Sequence, residues 1–185
     1  IWGNDIDEAL KREKILKEAN ITWLEEPFYS DAFYEYSEFT NKTLLPLAGG
    51  ESCHSVDSAK NMIHFGKVKY IQIDAGIVGG ILAGKEICEY AENRNVQYVN
   101  HTFTSHLQLS ASLQAYAGSL KSTLAEFPMQ LKSLAWDITR NHIDKDDNGC
   151  IINPLAVGHG IMINEDALKQ YKVDIEIYIN SKKVF

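Results

Sequence analysis

VKYIQIDAGIVGGILAGKEICEYAENRNVQYVN, residues 68–100, decides the fold. VKYIQID (68–74) and VQYVN (96–100) are short apolar runs rich in β-branched and aromatic residues, and each reads as a strand. Between them Gly80–Asn93 carries apolar residues at helical spacing. Strand, helix and strand in immediate succession form a βαβ unit, which requires the two strands to lie parallel in one sheet.

The same pattern extends in both directions. ITWLE (21–25), LLPLA (44–48) and TLAEF (123–127) are similar runs, and the five starts follow one another at intervals of 23 to 28 residues. Helical patterns over Asp7–Ala19, Val56–Phe65 and Ser105–Ala117 lie between them, several with Ser or Asp near the start as a cap. Five such units fit an α/β fold of either of two kinds: a doubly wound sheet, or part of an eight-stranded barrel that normally takes about 250 residues. The glycine pairs Gly49-Gly50 and Gly79-Gly80 complete neither GxGxxG nor a phosphate loop opening a helix, so the barrel is preferred. Residues 1–127 then hold the strand–helix units, and 128–185 is a less regular segment expected to close the barrel or pack on a further part of it.

The 185 residues suffice for one domain with its own core. A net charge of −7, from 18 Lys+Arg against 25 Asp+Glu, and the lack of any basic run exclude a nucleic-acid surface. No apolar run approaches the roughly 18 residues of a membrane helix, so no membrane partner is expected. Cys53, Cys88 and Cys150 are odd in number and lack CxxC spacing, which fits a reducing cytoplasm. The chain begins at Ile1 and opens into a helix with no earlier element to pack on, so it is expected to be part of a longer protein. Five strands alone leave open edges, and self-association is expected unless further segments cover them.

The chemistry gathers at the C-terminal ends of the five runs, which carry Glu25 (with Glu26), Glu51, Asp74, His101 and Glu126. In a barrel these ends converge on one face, where active sites of this fold lie. A single strand-end Glu is ordinarily a solvated residue or a cap, but converging carboxylates repel unless a cation neutralises them or one takes up a proton. Oxygen-only ligation by Glu25 and Glu51 favours a hard ion, Mg²⁺ before Mn²⁺ or Ca²⁺. Asp74 beside His101 would fix the imidazole tautomer and raise its basicity, giving a general acid/base. Two motifs are decoys. DKDDNG (144–149) starts like an EF-hand loop, but its twelfth position is Leu155 and Pro154 precedes that, so a tight turn is expected. Cys53-His54 beside Glu51 has no third partner and reads as packing.

WLEEPF (23–28), AGGES (48–52), QIDAGIVGG (72–80), VNHTF (99–103) and LAEFP (124–128) resemble successive strand-end motifs of the mandelate racemase-like group of the enolase superfamily. The resemblance runs from about Asp7 through GHGIMINEDAL (158–168). It implies the C-terminal portion of a TIM-like (β/α) barrel lacking the N-terminal capping domain and first strands. It also implies that Glu25 and Glu51 are magnesium ligands, that Asp74 and His101 are the catalytic dyad, and that Glu126 is an acid bonding the substrate's developing enediolate. Asp74 stands where the muconate-lactonizing branch has a lysine, and NHTFTSHLQLSASL (100–113) looks more like sugar-acid dehydratases than like the racemase. The implied chemistry is Mg²⁺-dependent removal of the proton α to a carboxylate, and dehydration of a sugar acid is the leading expectation. Racemisation or epimerisation of a 2-hydroxy acid and a non-catalytic, truncated metal-binding fragment are the alternatives. The whole protein is expected to be a homo-oligomer.

The pattern departs from the family at its start. Trp2 falls where a third metal carboxylate is expected, unless that Asp precedes Ile1, and neither the second-strand lysine base nor the capping domain lies within the 185 residues. These residues by themselves are therefore expected to be catalytically incomplete.

Overall fold

A computed structural model describes Gly3, residues 5–130 and residues 132–184. Trp2 lies outside the described residues. Helix α1 (Ile6–Glu18) starts at Asp5, whose carboxylate accepts the Glu8 amide at 2.9 Å and satisfies one of the open N–H groups of the first turn. Strand β1 (Leu24–Glu25), α2 (Phe33–Lys42), β2 (Leu47–Gly49), α3 (Val56–His64) and β3 (Tyr70–Ile73) follow. Ser55 and Ser58 cap α3 reciprocally, each side chain accepting the other's backbone N–H. The short α4 (Ala75–Val78), then α5 (Ile81–Glu92), β4 (Gln97–Asn100) and α6 (His106–Gln114) complete the regular part.

The four strands form one parallel sheet in the order β1-β2-β3-β4, as the alternation of strand and helix requires. The register pairs Leu24 with Leu47, Gly49 with Ile71, Ile71 with Tyr98 and Ile73 with Asn100. Successive residues of a strand point to opposite faces, so Leu24, Leu47, Ile71, Ile73 and Tyr98 form a row against the helices, where all are buried in the core. Glu25, Ala48, Gln72 and Val99 share the other face, the interior of a partial barrel. Asp74 and His101, one step beyond Ile73 and Asn100, continue that inner row.

One expectation is corrected here. Residues 123–127 are not a strand: among the described residues the parallel sheet has four strands, and this fifth segment is extended chain beside β4. It is held by side chains in place of a backbone ladder. Ser122 Oγ accepts the Tyr98 amide at 3.0 Å, and the Asn100 carboxamide accepts the Glu126 N–H and donates to the Glu126 carbonyl, both at 3.0 Å. Helix α2 is an addition to the sequence reading: the aromatic-rich FYEYSEFTNK conceals it, and its N-cap Ala32 offers no side-chain cap.

Beyond Pro128 the chain forms α7 (Ser133–Asp137), α8 (Glu165–Gln170) and a hairpin of β5 (Tyr178–Ile179) with β6 (Lys182–Lys183). It is tied to α6 by the Ile143 amide donating to His106 Nδ1 at 3.0 Å and by Ser110 Oγ donating to the His159 carbonyl. The 144–149 stretch is the expected tight turn: Asp146 Oδ1 accepts the amides of Asn148 and Cys150, and Lys145 bridges Ile151 antiparallel.

Gly84 on α5 marks how tightly the helix packs on β4 and α6. A Cβ there would stand 2.8 Å from Ala115 Cβ and 3.0 Å from the hydroxyl of fully buried Tyr98. Alanine in a helix interior normally gains about 0.5–1 kcal/mol over glycine, whereas overpacking costs roughly 1–3 kcal/mol. Gly84→Ala should therefore lower the melting temperature read by circular dichroism; a higher one would show that α5 can shift outward.

Candidate active site

Each inner-face group is delivered by a strand end and fixed by the turn after it. Gly50, with φ 118°, carries the chain from β2 to Glu51 where a Cβ would meet Ile71 Cδ1 at 2.6 Å, so both the backbone angle and the space call for glycine. Asp74 caps α4, its Oδ1 accepting the Gly76 amide at 2.8 Å, which leaves Oδ2 for the neighbouring strand. The His101 amide donates to the Ile73 carbonyl at 2.9 Å and so carries the β3–β4 ladder one step further.

That step brings the two residues together. His101 Nδ1 lies 3.2 Å from Asp74 Oδ2, and its Nε2 lies 3.4 Å from Glu51 Oε2. Both dyad residues are buried, and the Phe103 ring, itself exposed, stacks on the imidazole at 5.5 Å. The hydrogen bond that Asp74 accepts from it, against the effect of burial and aided by the charges of Glu51 and Glu126, holds the imidazole above its ordinary pKa. For Asp74 burial acts upward but is outweighed by hydrogen bonds from His101, Gln108 and the Gly76 amide, so its pKa lies below the usual carboxylate value.

A second cluster lies beside the first. Gln72, fully buried on β3, donates through Nε2 to Glu25 Oε2 at 2.8 Å and to Glu126 Oε1 at 2.7 Å. The Trp23 indole donates to the same Glu25 oxygen at 3.1 Å. Burial raises the Glu126 pKa, and the Glu25 charge adds to this against the Gln72 hydrogen bond. Glu26 turns off the inner row at φ 34°; its buried carboxyl is pushed up by burial first and then by Glu51 and Glu25. A cavity of about 560 Å³ adjoins Glu126, walled by Phe103, Phe127 and Met129. The larger cavity, about 630 Å³ beside Tyr116 and Cys150, contains none of the strand-end groups.

The structure thus joins Asp74, His101 and Glu51 in one chain of contacts and Glu25 and Glu126 in another. Gln72, Asn100, Trp23 and Phe103 were not anticipated as part of this site, because neutral or aromatic strand residues look like ordinary packing. Burial pushes the Cys53 thiol up to about 11, a direction that disfavours the thiolate.

These groups, four beyond or at the ends of parallel strands and Glu126 on the segment beside β4, accompany a match over residues 2–167 to the Enolase C-terminal domain-like family. The chain belongs to that family. It is 26% identical over 179 residues to the D-galactarolactone cycloisomerase of Agrobacterium fabrum, covering 92% of this chain and 47% of that one. It is 30% identical over 148 residues to the D-galactonate dehydratase of Verminephrobacter eiseniae, covering 77% of this chain and 39% of the relative. A protein described as a predicted mandelate racemase from Rhodobacter sphaeroides superposes with a TM-score of 0.91 at 38% identity, over all of this chain and 48% of the other. The chain therefore spans about half the length of the relatives it matches, consistent with a partial barrel. No helix among the described residues is long and apolar enough to cross a membrane.

Members of the enolase superfamily generally use Mg²⁺. Glu26 is raised by burial first and then by the charges of Glu51 and Glu25, so a cation placed among these carboxylates would relieve part of their repulsion. Glu25 and Glu51 offer it two carboxylates from adjacent strands, but among the described residues no group of three His, Cys, Asp or Glu converges to hold a metal. The residues present fit part of a Mg²⁺ site and do not complete one.

The sign of the His101 shift gives a test. A raised imidazole pKa contributes stability that is fully present below the ordinary value of about 6.5 and is lost as pH rises through the raised folded value. Asp74→Asn should lower the His101 pKa measured by NMR titration of the metal-free protein. It should also destabilise the fold more near pH 6 than near pH 9; equal loss at both would show that the pair does not share a proton in the folded state.

Proposed function

We propose that the protein carrying this chain removes the proton α to the carboxylate of a small acid, and that the net reaction is dehydration of a sugar acid. The observation carrying this reading is the His101–Asp74 pair at 3.2 Å on the inner face, with the Glu126 carboxyl held beside Glu25 on the same face. A raised pKa keeps Glu126 protonated further toward neutrality, where a carboxylic acid can donate a hydrogen bond to the substrate carboxylate as negative charge builds on it.

His101 moves protons at Nε2 while Asp74 holds Nδ1. In its neutral form the imidazole takes the α-proton; in its charged form it donates to the departing β-hydroxyl, which leaves as water. Which step falls to His101 depends on the face of the substrate that meets it. Glu25 and Glu51 would hold Mg²⁺, whose charge offsets that of the doubly negative intermediate. The dehydratase reading draws further support from the likeness to the D-galactonate dehydratase above and to the D-xylonate dehydratase of Haloferax volcanii. An isomerase reading shares the first proton transfer, and the likeness to the D-galactarolactone cycloisomerase supports it.

Incubating the full-length protein and Mg²⁺ with a panel of aldonic and aldaric acids in deuterated water separates the two. Dehydration should give a 2-keto-3-deoxy acid from at least one substrate, and His101→Asn should reduce its rate by about 10²–10⁴-fold. Deuterium exchange at the α-carbon with no dehydration of any acid in the panel would replace the dehydratase reading with the isomerase one. Full dehydration by His101→Asn would remove the dyad from the mechanism.

A further inference from the structure

We propose that Gln72 is a positioning residue whose single carboxamide sets the geometry of Glu25 and Glu126 together. The inference rests on the reading of Glu25 as a metal ligand and Glu126 as the substrate-facing acid. A carboxylate that ligates a metal only accepts hydrogen bonds, so the end of the amide that faces Glu25, and with it Glu126, must be the nitrogen. Its two hydrogens then engage Glu25 Oε2 at 2.8 Å and Glu126 Oε1 at 2.7 Å, and Trp23 adds a second donor to the same Glu25 oxygen. One oxygen of each carboxylate is thereby committed. Glu25 Oε1 and Glu126 Oε2 are the atoms left to meet a cation and a substrate.

The other end of the amide explains why this is more than packing. Gln72 Oε1 is buried and has no hydrogen-bond partner among the described residues. A buried acceptor without a donor destabilises the fold, and an apolar side chain of the same size would fill the space without that cost. Its nearest inner-face strand neighbours, the paired Val99 and Tyr70 and Ala48 of the same row, are apolar or aromatic. Gln72 is thus unfavourable for stability on one side and engaged with two site carboxylates on the other, the pattern expected where a residue serves the site. Because one side chain holds both carboxylates, its loss acts on metal affinity and on turnover at once.

Gln72→Met in the full-length protein keeps the volume and removes both donors. Calorimetric titration with Mn²⁺ should show Kd raised by about 10–100-fold, and kcat should fall by a similar factor with KM little changed. The melting temperature should not fall, since the orphaned acceptor is removed as well. Gln72→Asn, which keeps an amide but cannot reach both carboxylates, should show the same two losses and serves if the methionine variant does not fold. Glu25→Gln tests the underlying reading separately: if it leaves Mn²⁺ affinity unchanged, Glu25 is not a ligand and the proposal falls with that assignment. If Glu25→Gln weakens Mn²⁺ while a folded Gln72 variant keeps both affinity and kcat within about twofold, positioning by Gln72 is overturned. Losses that follow a lowered melting temperature overturn it too, in favour of a purely structural role.

Discussion

The parallel register between β3 and β4 is the constraint on which the site depends. Ile73 pairs with Asn100, and the His101 amide continues the ladder onto the Ile73 carbonyl. The next residue of each strand, Asp74 and His101, is thereby brought to one height on one face without any further device. A shift of one residue in either strand would turn its functional side chain toward the helices. The row of Ile71, Ile73 and Tyr98 opposes such a shift, because slipping would also expose the part of the core most fully buried.

Given that register, the remaining problem is electrostatic. Glu25, Glu26, Glu51, Asp74 and Glu126 would repel one another if all were ionised near one low-dielectric face. The structure distributes the charge. Asp74 is matched by an imidazole inclined to hold its proton, Glu25 is met by an indole and an amide, and Glu26 and Glu126 are inclined by burial toward the neutral form. Glu51 touches only the outer nitrogen of His101 among the ion pairs described. Adjacent strand ends thus hold groups of opposite protonation tendency, which is the arrangement acid–base chemistry near neutral pH needs.

Much of this was legible in the sequence because the signals are local. Alternating apolar runs locate β3 and β4, and ionisable residues at their ends stand out against the apolar background. Segment 123–127 carries the same local signal, yet whether it becomes a strand is decided by its neighbours. Ser122 and Asn100 take the backbone partners that a ladder would use, and no spacing rule reveals that. Gln72 was hidden for a related reason: in VKYIQID it reads as one polar residue inside a strand, and its importance comes from residues 47 and 54 positions away. Helix α2 was obscured by Tyr and Phe, which favour strands as readily as helices when no cap marks the start.

The Tyr116 hydroxyl lies 2.8 Å from Asn100 Oδ1 and 3.0 Å from the Leu124 carbonyl, so its one proton is shared between two acceptors. The segment bearing Glu126 is therefore suspended from three side chains, those of Asn100, Tyr116 and Ser122, and not woven into the sheet. Substitutions at those positions can retune where the acid sits while the strand register, and with it the dyad, stays unchanged. The fold in this way separates a frame fixed by the backbone ladder of β3 and β4 from an arm whose position is set by side chains alone.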